Sequence, residues 1–468
     1  MASYQIGMMG LGVMGANLAR NLAAHGFSVA GYDLAPEKRT AFQAAHEEGA
    51  LAAYDDIPAF LAALEQPRRI ILLVPAGVVD AAIESLKPFL SPGDLLIDLG
   101  NSFFLDTERR AKLMEEEGLF YFFGAGVSGG EKGALRGPSI MPGGHPDAYR
   151  LIEPAFRAIA AQVNGEPCVA YIGPRGAGHY VKMVHNGIEY GIMQAIAEAY
   201  DLLKRVAGAT ADELHAAFSA WNRAELNSYL IQITAEIFAR RDDETGQSLV
   251  ELILDEAQQK GTGKWASQNA LDLGVPTHTI NAAVEARIIS AHRDERQQAA
   301  ALFPPSGQPF TGDRAALFED VRAALYASVL CAYAQGFDLM QAASAEYAYN
   351  LDLTAIATIW RGGCIIRAAL LEDIRAVFGV QPDLPNLLLA EPFRSAIDQR
   401  QSAWRRVIAL GVEHGVPVPA LSASLAYFDA YRSARLPANL TQAQRDYFGS
   451  HTYRRIDRPG VFHTEWES

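Results

Sequence analysis

The chain has 468 residues, of which half are hydrophobic and 20% are charged, and its formal net charge is −14. This length and composition predict two or three domains with sizeable cores and argue against a disordered chain. The acidic balance disfavours binding to nucleic acid or to an anionic membrane, although a local basic cluster could still hold a small anion. The amino terminus shows no signal-peptide pattern, no apolar stretch is long enough to span a membrane, and the three cysteines are scattered. We therefore expect a cytoplasmic protein without a disulfide framework or a metal site.

Up to about residue 175 the sequence alternates short apolar runs with helical patterns. This alternation predicts a parallel sheet built from βαβ units, as in a Rossmann-like dinucleotide-binding domain over residues 1–175. The predicted strands are Gln5–Met9, Ser28–Tyr32, Arg69–Val74, Leu95–Asp98, Phe120–Phe123 and Val169–Ile172.

From about Gly176 onward the apolar residues follow a helical period. Long helices are predicted over Val181–Val206, Ala211–Arg240 and Ala315–Ala343. Residues 176–434 are thus expected to form a large all-helical domain. Residues 435–468 are more polar and show little periodicity, so we expect an extended tail.

The helical part contains the signature of an internal repeat. Residues 198–203 are echoed by 335–340, and 221–223 are echoed by 360–362. Two helical units of similar plan would bury their apolar faces against each other. Convergent helix composition is the alternative explanation. At this offset, Lys182, His185, Asn186 and Glu189 correspond to Glu319, Arg322, Ala323 and Tyr326.

A glycine-rich turn follows the first predicted strand. Gly10-Leu11-Gly12-Val13-Met14-Gly15 matches G-x-G-x-x-G and opens a helix, and Asp33 ends the next strand. Glycines at these positions allow a tight turn and let backbone N–H groups meet a pyrophosphate, while the carboxylate accepts hydrogen bonds from a ribose diol. A purely structural turn, with Asp33 starting a second turn, is the alternative.

Lys182, His185, Asn186 and Glu189 are spaced to lie on one face of a predicted helix. A solvated polar stripe is the ordinary explanation for such a face. The other faces of this helix are apolar, however, so that the four polar residues are expected to line a cavity.

Two further segments carry glycines near polar residues. The segment 124–130 is predicted to be a loop after a strand, in which backbone N–H groups and the Ser128 hydroxyl could hold a carboxylate. The segment 260–264 lacks the Walker spacing, which disfavours nucleotide hydrolysis, but it could present donors to a phosphate. A flexible turn and a simple helix linker are the alternatives.

These residues resemble a known family. Residues 10–22 are similar to the opening of the β-hydroxyacid dehydrogenases, and 176–190 to the long helix of the 6-phosphogluconate dehydrogenase family. The resemblance to that family continues in segments 128–131, 260–265, 360–367 and 437–449. It implies the oxidative decarboxylation of 6-phospho-D-gluconate to D-ribulose 5-phosphate and CO2, with reduction of a nicotinamide cofactor.

The resemblance also implies roles for individual residues. Lys182 matches the general base at the substrate C3 hydroxyl, and Glu189 matches the acid that protonates C1 of the enediol after CO2 is lost. Arg445 and His451 match tail residues that reach the site of a second subunit, which implies a homodimer. The implied substrate-binding residues are Asn101, Ser128, Gly129, Gly130, His185, Asn186, Tyr190, Lys260, Thr262, Arg287, Arg445 and His451. The implied cofactor-binding residues are Gly10, Leu11, Gly12, Val13, Met14, Gly15, Asp33, Leu34, Ala35, Val74, Pro75, Ala76 and Asn101.

The sequence departs from the family pattern where the cofactor would be selected. Members that use NADP typically show Asn-Arg-Thr in place of Asp33-Leu34-Ala35, and usually a lysine in place of Pro75. Asp33 is expected to repel a 2′-phosphate, and Lys38 is the one nearby cation in the sequence. We therefore expect NAD as the cofactor, with NADP as a weaker one.

Two rival functions remain at this point. Another β-hydroxyacid dehydrogenase would act on a small unphosphorylated acid, but the cations Lys260, Arg287 and Arg445 would then have no anionic partner. A non-catalytic NAD-binding scaffold would not need Lys182 and Glu189.

Overall fold

A computed structural model describes residues 3–45, 50–118, 120–259, 261–303 and 309–467. The first part is a seven-stranded sheet in the order β3-β2-β1-β4-β5-β6-β7, parallel except for the β6–β7 pair. Its strands are β1 Ile6–Met9, β2 Val29–Tyr32, β3 Leu51–Tyr54, β4 Arg69–Leu72, β5 Leu95–Asp98, β6 Tyr121–Ser128 and β7 Ser139–Pro142. A separate two-stranded ribbon pairs β8 Gln162–Val163 with β9 Glu166–Pro167. The prediction of a Rossmann-like domain is confirmed.

Nineteen α-helices are present in the part of the chain that the structure describes. Those within or beside the sheet domain are α1 Val13–Ala24, α2 Pro36–Ala44, α3 Ile57–Ala62, α4 Val79–Leu86, α5 Phe104–Glu117, α6 Gly130–Arg136 and α7 Pro146–Ile159. The helical domain contains α8 Ala177–Arg205, α9 Ala211–Trp221, α10 Tyr229–Ala239, α11 Thr262–Asp272, α12 His278–Ser290, α13 Arg293–Leu302, α14 Arg314–Glu346, α15 Leu353–Ile359, α16 Leu370–Val380, α17 Phe393–Glu413 and α18 Pro419–Tyr431. The tail carries α19 Ala438–Gly449. The prediction of a large helical domain after the sheet is confirmed, and none of the described helices is long and apolar enough to cross a membrane.

Several predicted elements were wrong in detail. Residues 169–172 form only an isolated bridge, Ile140 to Val169, and β3 and β7 were missed. The predicted helix over 211–240 is two helices, because residues 222–228 leave the helix and Ser228 bridges to Ala368. The tail is less extended than expected, since it contains the twelve-residue helix α19.

The glycines of 124–128 belong to strand β6, not to a loop as predicted. A Cβ on Gly126 would stand 2.3 Å from Lys182 Cβ, and one on Gly124 would stand 2.3 Å from His179 Nδ1. Across the same contact, a Cβ on Gly178 would stand 2.3 Å from the Met141 carbonyl oxygen. The small residues therefore let α8 lie directly against the sheet, where larger side chains would not fit.

The two long helices α8 and α14 cross at the centre of the helical domain. A Cβ on Gly336 would stand 2.4 Å from Ile188 Cδ1, so that the glycine allows the close crossing. Each long helix is followed by two short helices, α9 and α10 after α8 and α15 and α16 after α14, which is the order expected for an internal repeat. The two units are also joined by backbone hydrogen bonds, from Tyr229 N to Arg367 O and from Ala369 N to Asn227 O.

The carboxylate of Glu108 on α5 joins the two domains. It accepts hydrogen bonds from Arg175 Nε at 2.7 Å, from Gly176 N at 2.9 Å and from the Tyr349 hydroxyl at 2.7 Å. Gly176 directly precedes α8, so these contacts fix the start of that helix relative to the sheet.

Candidate active site

The carboxyl ends of β1, β2, β4 and β5 form one edge of the sheet. Strand order reverses between β1 and β4, since β1 continues to β2 on one side while β4 continues to β5 on the other. In open parallel sheets this switch point forms a crevice that binds ligands. The predicted cofactor residues follow these four strands and therefore lie along one edge.

The glycine turn after β1 has the geometry that a dinucleotide requires. Gly10 has φ of +100°, and a Cβ there would stand 2.4 Å from the Leu73 carbonyl oxygen. A Cβ on Gly15 would stand 1.9 Å from the Gly10 carbonyl oxygen, whereas one on Gly12 would meet nothing within 4 Å. Gly10 and Gly15 therefore close the turn, and Gly12 leaves room for a ligand at the start of α1. Met14 and Val13 open the helix, with Val13 largely exposed.

Asp33 lies at the end of β2 and is held by the glycine turn. Its carboxylate accepts hydrogen bonds from Leu11 N at 2.8 Å and Ala35 N at 3.0 Å, and Lys38 Nζ lies 3.5 Å away. Burial alone would raise the pKa of Asp33, but the two N–H groups and the Lys38 ammonium hold it below its usual value. The side chain is thus ionised at neutral pH, the form that could accept hydrogen bonds from a ribose diol.

A second cation, Arg39, also lies beside Asp33 and was missed in the sequence. Its Nη1 donates to the carbonyl oxygens of Asp33 at 2.7 Å and Leu34 at 3.1 Å. The expectation that Lys38 is the one nearby cation was therefore wrong. The signal was the position of Arg39 in the first turn of α2, from which a long side chain can reach back over the end of β2.

The loops after β4 and β5 complete this edge. Val74 and Ala76 are half-buried and Pro75 is exposed, while a Cβ on Gly100 would stand 3.1 Å from the Val74 carbonyl oxygen. The Asp98 carboxylate fixes the second loop by accepting hydrogen bonds from Gly100 N at 2.9 Å and from the Ser102 hydroxyl at 2.5 Å. Asn101 lies exposed between those two anchors.

On α8, Lys182, His185, Asn186 and Glu189 converge as their spacing predicted. His185 is fully buried, and its Nδ1 lies 3.1 Å from Asn186 Oδ1, 3.4 Å from Lys182 Nζ and 3.7 Å from Glu189 Oε2. Its Nε2 lies 3.2 Å from the hydroxyl of Ser128, at the end of β6. Helix α8 and strand β6 therefore bring five of the predicted site residues into one cluster.

Burial shifts the pKa values of the ionisable side chains in this cluster so that their neutral forms are favoured. It lowers the pKa of Lys182, although Glu189 and Cys364 oppose the shift. Burial raises the pKa of Glu189, against the opposing charges of Lys182 and Arg287. Burial, with the Lys182 charge, lowers the pKa of His185 well below its usual value. A lysine that can become neutral and a carboxyl that can stay protonated are matched to a base and an acid.

The hydrogen bonds assign a tautomer to His185. Asn186 Oδ1 can only accept, so the neutral imidazole carries its hydrogen on Nδ1 and donates it to that oxygen. Nε2 is then an acceptor for the Ser128 hydroxyl, whose oxygen also accepts from Ile365 N at 3.3 Å. The Nδ1 hydrogen also faces Lys182 Nζ and so disfavours the charged ammonium.

The residues predicted to contact the phosphate and sugar of the substrate lie beside this cluster. The Arg287 guanidinium stacks on the Tyr190 ring at 3.4 Å from its centroid. Gly263 in the first turn of α11 packs against the same ring, and Thr262 begins that helix. The structure thus brings Tyr190, Thr262 and Arg287 together beside Glu189, while Lys260 lies outside the described residues.

The sequence that carries this sheet edge and the polar face of α8 matches known proteins. A model of the NAD binding domain of 6-phosphogluconate dehydrogenase matches residues 5–173, and a model of the C-terminal domain of 6-phosphogluconate dehydrogenase matches 178–466. The chain is 58% identical to the decarboxylating 6-phosphogluconate dehydrogenase of Synechococcus elongatus, over the full length of both chains. It is 55% identical, again over both full lengths, to the Bacillus subtilis enzyme named as NADP(+)-dependent and decarboxylating.

The chain belongs to the 6-phosphogluconate dehydrogenase family.

A solved structure agrees with this assignment. The Plasmodium falciparum 6-phosphogluconate dehydrogenase, described in its apo form and in complex with NADP+ and with 6-phosphogluconate, superposes with a TM-score of 0.95. It is 42% identical, and the alignment covers 99% of this chain and 100% of the other.

The family resemblance also singled out Arg445 and His451 in the tail, and here one chain does not explain their roles. Arg445 Nη1 donates to Gln442 Oε1 at 3.2 Å, and the His451 ring packs against Gly449 and the Phe448 ring. These contacts all lie within the tail. The structure of the single chain therefore does not bring Arg445 and His451 together with Lys182.

Proposed function

We propose that this chain oxidatively decarboxylates 6-phospho-D-gluconate to D-ribulose 5-phosphate and CO2 with a nicotinamide cofactor. The observation that carries the proposal is the pairing of Lys182 with Glu189 on one face of α8. Burial shifts the pKa of the lysine down and that of the carboxyl up, so that each group favours the protonation state its role needs. The open space at Gly12, the helix start at Val13 and the ionised Asp33 fit a bound NAD(P).

In the proposed reaction, Lys182 and Glu189 act in successive steps from the two ends of the polar face of α8. Neutral Lys182 takes the proton of the C3 hydroxyl, and a nicotinamide held at the sheet edge by Gly12 and Asp33 would supply the acceptor for the C3 hydride. Ser128, His185 and Asn186 hold the carboxylate and the hydroxyls at this stage. The resulting C3 ketone is β to the carboxylate, so the C1–C2 bond can break and release C1 as CO2, with its electrons passing into an enediol whose C3 oxygen takes the proton back from Lys182. Glu189 then delivers its proton to the carbon that was substrate C2 and becomes C1 of ribulose 5-phosphate, as the C3 hydroxyl gives its proton to Lys182.

The direct test is product analysis with the purified full chain. Incubation with 6-phosphogluconate and either cofactor should yield reduced nicotinamide, CO2 and ribulose 5-phosphate in equal amounts. Reduction without CO2 release would reject the decarboxylating function, and no reduction with either cofactor would favour the scaffold alternative.

A phosphorylated substrate is supported by two cations that lack a direct carboxylate partner. Within the part of the chain that the structure describes, neither Arg287 nor Arg445 forms a direct ion pair, although the Arg287 charge acts on Glu189. The test is gluconate against 6-phosphogluconate. We expect kcat/KM to fall by about 10²-fold or more without the phosphate, because a charge-assisted hydrogen bond contributes roughly 1.5–3 kcal/mol and at least two are lost. Equal rates would support the unphosphorylated alternative.

We also propose that NAD is preferred over NADP. Asp33 is ionised at the ribose position, and Leu34, which is 82% exposed, offers no charge to a 2′-phosphate. Lys38 and Arg39 oppose this preference, and the Bacillus subtilis relative is named as NADP-dependent. Because these cations are partly engaged by Asp33 and the carbonyl oxygens, we expect the lower end of a preference on the order of 10²–10⁴-fold.

The cofactor proposal is tested by kcat/KM for NAD and NADP in two proteins. In the wild type, NAD should give the higher value. Asp33→Asn with Leu34→Arg should move the preference toward NADP, since it removes a repelling charge and adds a bidentate phosphate partner. A wild type that prefers NADP would reject the proposal and direct attention to Lys38 and Arg39.

We further propose a homodimer in which each tail completes the partner's site. Tail side chains such as Phe448 and Ile456 are 73% and 86% exposed in the single chain, as expected for residues that a second copy covers. Mixing Arg445→Ala subunits with Lys182→Met subunits should restore some activity, because one composite site of each hybrid is intact. Absence of rescue in confirmed hybrids would mean that the tail serves its own subunit.

The location of the protein in the cytosol stays a prediction.

A further inference from the structure

The tail encloses one buried residue, Asp446. It is the only buried side chain among the described residues 435–467, and the carboxylate has no exposed surface. Its Oδ1 accepts hydrogen bonds from Thr452 N at 2.9 Å and His463 Nδ1 at 2.9 Å. Its Oδ2 accepts them from Thr464 N at 3.1 Å and Trp466 Nε1 at 2.9 Å.

These four hydrogen bonds gather three parts of the tail around one carboxylate. Asp446 belongs to α19, Thr452 follows the end of that helix, and the other donors belong to the last residues of the chain. Between them, Tyr453 and Phe462 pair through two backbone hydrogen bonds of 2.8 Å. Because all the donors converge on one acceptor, losing it would remove a shared partner from all four at once.

The residues that resemble substrate contacts lie directly against this centre. Arg445 precedes Asp446, and His451 precedes Thr452, so each is adjacent to a residue that the carboxylate fixes. Gln442 closes the arrangement, since it accepts from Arg445 Nη1 at 3.2 Å and donates to the Thr452 carbonyl oxygen at 2.6 Å.

The turn that follows α19, from Ser450 to Thr452, is one that a free peptide would not hold. Ser450 has φ of +52° and Thr452 has φ of +57°, both in the left-handed region that non-glycine residues avoid. Such a conformation persists when surrounding contacts impose it. The Thr452 N–H bond to Asp446 is one such contact, and it acts at the strained residue itself.

We propose that Asp446 is a positioning residue that holds Arg445 and His451 in the arrangement in which they meet a substrate. This rests on the proposed function, in which the tail supplies those two side chains to a partner's site. The tail is thereby ordered before it meets the second subunit. Substrate binding then does not include the loss of entropy that ordering the tail would require.

The test compares Asp446→Ala and Asp446→Asn with a matched control, Asp457→Asn, in the full chain. Asp457 is an exposed tail carboxylate that pairs with Arg455. Asp446→Ala should raise KM for 6-phosphogluconate by about tenfold to a hundredfold while KM for the cofactor stays unchanged and kcat changes little. Asp446→Asn keeps one acceptor oxygen and should give a smaller rise, and Asp457→Asn should match the wild type.

Hydrogen exchange measured by mass spectrometry reports the ordering itself. Peptides covering 450–467 should lose protection in Asp446→Ala, and peptides from α8 should not. Sedimentation of each variant shows whether the oligomeric state is retained. If Asp446→Ala does not fold, Asp446→Asn decides by the same measurements.

Background variants separate this inference from the proposed function of the tail. In an Arg445→Ala/His451→Ala background, adding Asp446→Ala should raise KM by less than about twofold, because the groups it positions are gone. The positioning role is wrong if KM rises as much in that background as in the wild type. It is also wrong if Asp446→Ala alone leaves KM unchanged while exchange protection is lost. In both cases the proposal that the tail contacts the substrate is unaffected. If the Arg445→Ala/His451→Ala background itself shows a normal KM, the composite site is wrong and the positioning role is rejected with it.

Discussion

Helices α8 and α14 stand at corresponding positions of the predicted repeat and pack against each other at Gly336, but they use their polar positions differently. On α8, Lys182 and His185 are buried against the sheet. On α14 the corresponding residues are Glu319, which is exposed, and Arg322, which pairs with Glu225 at 3.5 Å and Glu319 at 2.7 Å. The counterpart of Glu189 is Tyr326, whose ring lies under the Arg400 guanidinium at 4.4 Å.

The difference shows that helix register alone does not make a site. Both helices present polar side chains on one face, but only α8 carries them against a glycine-lined strand that excludes water. Desolvation there shifts the pKa of Lys182 and Glu189 toward neutral forms, whereas on α14 Arg322 forms partly exposed ion pairs with Glu225 and Glu319.

The largest expected effect is the loss of the base on α8. Lys182→Met should lower kcat by about 10²-fold or more, the usual scale for a positioned acid–base group, while the fold is kept. The matched change on α14, Glu319→Met, should leave kcat near the wild-type value. Steady-state kinetics and thermal unfolding of both variants are the measurements, and near-normal turnover in Lys182→Met would refute the assignment.

The loss of the acid should follow closely. Glu189→Gln should slow product formation by about 10²-fold, because an amide cannot deliver the proton to C1. The measurement is deuterium incorporation from solvent at C1, with Tyr326→Phe on α14 as the control. Incorporation at the normal rate in Glu189→Gln would mean that another group is the acid.

The pH dependence should be weaker but diagnostic. The neutral fraction of Lys182 increases as pH rises through its lowered pKa, and the protonated fraction of Glu189 decreases as pH rises through its raised pKa. We therefore expect a bell-shaped profile of kcat/KM, with apparent pKa values that belong to the pair. Glu189→Gln should convert the bell into a single rise with pH. A wild-type profile flat from acid to alkaline pH would contradict the pairing.

The smallest effect is expected at the surface of α14. Arg322→Ala removes partly exposed ion pairs and should lower the free energy of unfolding by about 0–1 kcal/mol without changing kcat. Urea unfolding at fixed protein concentration measures the first quantity. A loss of activity comparable to that of Lys182→Met would show that the two helices are not divided into site and scaffold.

Much of the cofactor edge was predictable because its signals are local. The spacing of Gly10, Gly12 and Gly15 and the position of Asp33 after β2 report constraints within one βαβ unit, and the structure brings them together. Arg39 was missed because its role depends on a long side chain turning back from α2 to two carbonyl oxygens.

The same distinction explains the two glycine-rich segments. Gly124 and Gly126 indicated a loop, since glycine is common in turns and weakens isolated strands. The structure makes them part of β6, because α8 approaches the strand so closely that a Cβ at either position would collide with it. Only the packing of distant segments, 124–128 against 177–189, reveals that reason.

By itself the sequence determined the fold class, the dinucleotide edge and the polar face of α8, since these follow from short-range periodicity and spacing. The tertiary structure alone decided that Lys182, His185 and Asn186 on this face are buried, that His185 lies between Ser128 and Lys182, and that four tail donors converge on Asp446. The physical reason is that desolvation and hydrogen-bond partners are set by chain segments far apart in sequence. No local pattern around Lys182 or Asp446 contains that information.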